Sequence, residues 1–78
     1  MPKVRLRLGD VLKQEGLSAY RLERVLVERV GRATIYRWVR KDEGRVDLEA
    51  LAWVIWGLRK LTGKPYGVQD LLAYEEEP

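Results

Sequence analysis

Cysteine, histidine and asparagine are all missing from these 78 residues. Without cysteine there is no disulfide to hold a fold and no thiolate to bind a metal. Without histidine the commonest general base is gone, together with Ser–His and Cys–His nucleophile pairs and most zinc sites. Catalysis would fall to Asp, Glu, Lys, Tyr, Ser or Thr, and nothing in their spacing assembles an acid–base or nucleophile constellation. An enzyme is therefore not expected, and neither is a metal or a cofactor. No apolar run approaches membrane-spanning length and no signal-peptide pattern is present, so a cytoplasmic protein is expected. Internal repeats and linkers are lacking too, which leaves one domain over residues 1–78.

What is present is a small hydrophobic complement and an uneven charge. Hydrophobic residues make up 46% of the chain, enough for one modest core. The net charge is +3, but its distribution says more. Residues 29–45 hold six Lys/Arg against two acids, whereas residues 68–78 hold four acids and no base. A basic middle with an acidic end suits a nucleic-acid face on one side of the fold.

Along the chain, Val4, Leu6 and Leu8 alternate with Arg5 and Arg7. That period of two fits either a short strand or the frayed start of the first helix. Leu8, Val11, Leu12 and Glu15 then follow a helical rhythm that Gly16 stops, giving a helix over 7–15. Ser18 is a good N-cap for a second helix over 19–27, with Leu22, Val25 and Leu26 inward and Tyr20 half-buried. Its first turn, with Ser18, Ala19 and Arg21, offers free N–H groups and a charge to a phosphate. Asp47 caps a fourth helix over 48–61, whose core stripe is Leu48, Leu51, Ile55 and Leu58, widened by Val54 and Leu61. Residues 62–67 are a loop by every breaker signal. A fifth helix over 68–73 turns Val68, Leu71 and Leu72 inward, and Leu72–Tyr74 can run on as a strand beside Val4–Leu8. Residues 75–78 read as a frayed acidic tail.

The third helix, over 32–40, is the most informative. Ile35, Trp38 and Val39 share an apolar stripe. Arg32, Ala33, Tyr36, Arg37 and Arg40 occupy the other side, with no acid among them. A short helix with such a face has the size and chemistry to enter a DNA major groove. There Arg can bond guanine bidentately, and a small residue such as Ala can meet a thymine methyl. Charge runs are also common on ordinary solvated surfaces, so the neighbours matter. A second helix, a turn, then this basic helix is the order of a helix-turn-helix spanning about 18–40.

In that order the segments GLSAYRLERV, VGRATIYRWVR, DLEALAWVIWGL and VQDLLAYE resemble the Cro/phage-repressor type of helix-turn-helix, the XRE family. The likeness covers nearly the whole chain. It implies an all-α, compact five-helix domain, possibly with a short strand pair from the two ends. It further implies a transcriptional regulator, a repressor by preference, that binds a pseudo-palindromic double-stranded operator, commonly as a homodimer. Base contacts then fall on Arg32, Ala33, Tyr36 and Arg37. Phosphate contacts fall on Ser18, Ala19, Arg21 and Thr34, and after the third helix on Arg40 and Lys41, with Arg45 a weaker candidate.

The chain departs from that pattern between Leu22 and Thr34, where it is two residues longer than usual and lacks the turn glycine. Val27-Glu28-Arg29 fills the gap. Either the second helix is longer by half a turn, or the turn is wider. Gly31 stands where Ser or Thr usually caps the recognition helix. Trp53 and Trp56 fall off the core stripe of the fourth helix, on the side of Glu49 and Lys60. Either they form a dimer or partner interface, where Trp is enriched, or the chain ends fold over them. The alternative functional reading is an antitoxin-like or other protein-interaction module that binds DNA only with its partner.

Overall fold

The computed structural model describes residues 1–40 and 45–76. Among them the chain is mostly helical, with five helices and one small antiparallel sheet. In chain order these are Pro2–Leu6 (β1), Leu8–Glu15 (α1), Ala19–Val25 (α2), Arg32–Arg40 (α3), Leu48–Thr62 (α4), Val68–Leu71 (α5) and Leu72–Glu76 (β2).

Local chemistry sets most of the boundaries. Gly16 ends α1 in the left-handed region at φ 69°, and its N–H reaches the Leu12 and Lys13 carbonyls. A side chain there would meet the Cβ clash that glycine avoids. The Ser18 hydroxyl accepts from the Arg21 N–H at 3.2 Å and starts α2. The Asp47 carboxylate accepts from the Glu49 N–H at 3.2 Å and starts α4. At α5 the Asp70 carboxylate accepts from the Gly67 N–H at 2.8 Å.

The alternation at the N-terminus is a strand. β1 pairs with β2 in the register Pro2 with Glu76, Val4 with Tyr74 and Leu6 with Leu72. Arg5 bridges to Glu75 across the pair at 3.3 Å. Glu75 and Glu76 are thus the end of a ladder and not a frayed tail. The fifth helix stops at Leu71, two residues short of the expected end, because β2 takes the backbone over at Leu72.

One core joins the elements. Leu8, Leu22, Leu26, Ile35, Val54, Leu58 and Leu71 are fully buried, and Trp38 is 2% exposed. Burying each such side chain stabilises the fold by about 1.5–3 kcal/mol. The basic helix is therefore pinned by Ile35 and Trp38, with the half-buried Val39 beside them. α2 is shorter than expected, ending at Val25 with Leu26 as its cap. The connection to α3 is thus the wider turn of the two alternatives. Glu28 stands in it at φ 69°, in the conformation a turn glycine would adopt.

Two inward assignments fail. Leu48 is 77% exposed. The buried stripe of α4 centres on Leu51, Val54 and Leu58, and Leu48 lies roughly a quarter turn from that centre, in the first turn. Val68 is 51% exposed, because in so short a helix Leu71 alone faces the core.

Two glycines mark the closest approaches. A Cβ on Gly9 of α1 would sit 2.5 Å from the Val39 carbonyl oxygen of α3. A Cβ on Gly57 of α4 would sit 3.1 Å from Leu26 Cδ2 and 3.2 Å from Leu22 Cδ1, both of α2 or its cap. The side of α1 that meets the basic helix and the side of α4 that meets α2 are thus each defined by a missing side chain.

Candidate nucleic-acid interface

The outer side of α3 carries what its sequence promises. Arg32, Ala33, Arg37 and Arg40 are exposed, while Thr34 and Tyr36 are half-buried. No acidic residue occurs in α3. Arg21 and Arg24 on α2 are exposed as well. Ser18 is exposed but already spends its hydroxyl on the cap, and Ala19 is half-buried. Lys41 lies outside the described residues, as do Asp42 and Glu43.

α2 supplies an acid that the sequence pattern did not single out. Glu23 places a carboxylate oxygen 3.8 Å from Arg32 Nε, and its side chain is only 23% exposed. The neighbouring Glu23 carboxylate also holds the Tyr36 phenol above its ordinary titration range. Arg32 in turn lies over the Tyr36 ring at 5.7 Å. Glu23, Arg32 and Tyr36 therefore form one cluster at the start of α3. The acid sits five residues after Ser18, on the side of α2 that faces α3, where a sequence reading sees only a polar helix position.

Tyr20, in the first turn of α2, is 58% exposed and not half-buried. This arrangement offers two kinds of group to a ligand. The free guanidinium edges of Arg37 and Arg40 suit phosphate or a guanine edge. The Arg32 guanidinium, itself 76% exposed, is held by the Tyr36 ring and by a long ion pair to the half-buried Glu23. A good bidentate base contact is worth about 1–3 kcal/mol and competes with that hold.

On α4, Trp53 is half-buried against the core and Trp56 is 37% exposed. Their rings meet edge to face at 5.3 Å. The Arg29 guanidinium, from the turn between α2 and α3, lies 4.5 Å over Trp53 and 5.7 Å from Trp56. Part of the cover over these rings is therefore a cation of the same chain.

A second polar cluster is structural. The Glu15 carboxylate accepts from the Tyr66 hydroxyl and from Lys64 Nζ, the latter at 2.9 Å. These bonds hold Glu15 below its ordinary value. The Glu15 carboxylate pushes the Tyr66 phenol up to about 12. Tyr66 is 9% exposed, and its carbonyl accepts from Arg59 Nε at 2.7 Å. It ties α1 to the loop after α4, far from the basic helix in sequence.

Among the described residues no helix is long and apolar enough to cross a membrane. Comparison with protein-family models, with curated proteins and with solved structures yields no match.

Proposed function

We propose that this chain binds double-stranded DNA through the outer side of α3, as a transcriptional regulator of the Cro/phage-repressor helix-turn-helix kind. One observation carries the reading: α3 buries Ile35 and Trp38 and presents Arg32, Arg37 and Arg40 with no acid among them. A helix anchored this firmly on one side can enter a groove without losing its position. Arg32, Ala33, Tyr36 and Arg37 read base edges in this account. Arg21, Arg40 and the first turn of α2 meet phosphates, as does Lys41 on the sequence argument alone. Occlusion of a promoter by a bound protein is the simplest regulatory outcome.

The Tyr36 hydroxyl, beside the Glu23 carboxylate, can accept from a base amine such as adenine N6 or cytosine N4.

The second reading, a partner-binding module, draws on the exposure of Trp56 and Leu48. Titration of labelled duplex DNA with the purified chain separates the two. DNA binding predicts affinity that falls steeply with salt, with a slope of about −0.9 per phosphate contacted. Arg32→Ala and Arg37→Ala each cost about 1–3 kcal/mol on a preferred sequence and less on an unrelated one. No binding by the chain alone at low salt sinks the first reading in favour of the second.

A further inference from the structure

The outward side of α4 carries exposed apolar residues. Leu48, Ala52 and Trp56 are exposed at intervals of four residues, so they form one ridge along this 15-residue helix. Leu48 is 77% exposed and Trp56 37%, although both are large and apolar. The ridge has unlike ends. Glu49 is exposed at its N-terminal end, and Arg59 and Lys60 are exposed at its C-terminal end.

We infer that this ridge is the interface of a homodimer in which α4 packs antiparallel against α4 of a second copy. The charge pattern selects both the occupant and the direction. Antiparallel pairing sets the acidic end of each helix against the basic end of the other and opposes the two helix dipoles. Parallel pairing would set like against like at both ends. One register matches the ridge along its length. With the two-fold axis midway between Ala52 and Trp56, the Trp56 indole of each copy covers Ala52 of the other. Glu49 then faces Arg59, and Leu48 lies on the aliphatic stem of Lys60. Ala52 gives the indole room, and Trp56 already rests against Lys60, whose Nζ is 5.4 Å from its ring. Trp53 stays within its own subunit beneath Arg29, so the two tryptophans have different tasks.

A single helix pair buries on the order of 1,000 Å² in total, near the lower bound for a specific interface. The dimer is accordingly reversible. The interface does not involve the outer side of α3, so it stands or falls independently of DNA binding.

Sedimentation equilibrium of the whole chain, without DNA, tests it. A concentration-dependent monomer–dimer equilibrium is expected. Ala52→Glu places a carboxylate under the partner indole at an exposed site. It leaves the circular dichroism spectrum and melting temperature unchanged and abolishes the dimer over the same range. Glu49→Arg raises the dimer Kd roughly ten-fold, because two ion pairs per dimer become repulsive. Arg59→Glu does the same, and the double exchange restores the dimer to within about three-fold of the original. Because Arg59 also holds the Tyr66 carbonyl, Ala52→Glu decides the matter if the Arg59 variants melt early. A chain that stays monomeric at every concentration, or a dimer indifferent to Ala52→Glu, overturns the inference.

Discussion

The same substitution, glycine to alanine, has unequal consequences at two helix crossings. At Gly9 the new methyl carbon would lie 2.5 Å from the Val39 carbonyl oxygen. A carbon and a carbonyl oxygen do not approach much closer than about 3.3 Å even in weak C–H···O contacts. Roughly 0.8 Å must be found, and it cannot be found by turning a side chain, because the obstacle is backbone. α1 and α3 have to separate. Overpacking of this kind costs about 1–3 kcal/mol. The better helix propensity of alanine returns about 0.5–1 kcal/mol. The net expectation is a loss of about 1–2 kcal/mol. At Gly57 the nearest atoms are Leu26 Cδ2 at 3.1 Å and Leu22 Cδ1 at 3.2 Å. A few tenths of an ångström suffice, and methyl groups can supply them, so Gly57→Ala should fall within about 1 kcal/mol of the parent. Thermal unfolding followed by circular dichroism reads the difference. For a domain of 78 residues, 1 kcal/mol moves Tm by about 4–8 °C. Gly9→Ala should also weaken DNA binding beyond its effect on stability, since it displaces the helix that carries Arg32 and Arg37. A Gly9→Ala protein that melts at or above the parent refutes the close approach of α1 to α3.

Two further perturbations follow from single residues. Glu28 holds a left-handed conformation that costs a side-chain-bearing residue about 1–2 kcal/mol, so Glu28→Gly should raise stability by about 0.5–1 kcal/mol in urea titration after its entropic cost; a loss would mean that the Glu28 side chain supports the turn. The Glu15–Tyr66 pair sets the pH range of stability. Glu15 is depressed, so its contribution is present above the ordinary value of 4.5 and fades as pH falls through the lower folded value. Tyr66 is raised, so its contribution is complete below 10.0 and is lost as pH rises through about 12. Chemical denaturation across pH should show a plateau between these limbs, and Glu15→Gln should flatten both; an unchanged acid limb would remove Glu15 from the account.

Much of the frame was legible because it is local. Ser18 and Asp47 cap their helices and Gly16 stops one, whereas the alternation of Val4 and Leu6 with arginines fits a strand or a frayed helix start until β2 pairs with it. The burial of Ile35 and Trp38 follows from spacing alone. What was not legible depends on partners distant in sequence. Gly9 looks like an indifferent helix position until Val39 lies against it. Tyr66 sits among loop residues, and only its meeting with Glu15 makes it part of the core. Glu23 belongs to the basic side of the molecule although its sign argues otherwise, because it spends its charge on Arg32 and Tyr36. Leu48 was assigned inward by extending the helical period one turn past the elements that pack on α4. The turn between α2 and α3 could not be chosen from composition, since nothing in Val27-Glu28-Arg29 announces a left-handed residue.

The central claim is that the exposed side of α3 reads DNA, and selection of bound sequences from a random duplex pool tests it most directly. At near-physiological salt the account predicts a recovered consensus, with positions that lose their preference in Arg32→Ala and Arg37→Ala. If the chain acts as a dimer on DNA, two inverted half-sites should lie about one helical turn apart. Recovery of DNA without any consensus, or of none, would contradict base reading by α3. The function would then have to be sought in what covers Trp56 and Leu48.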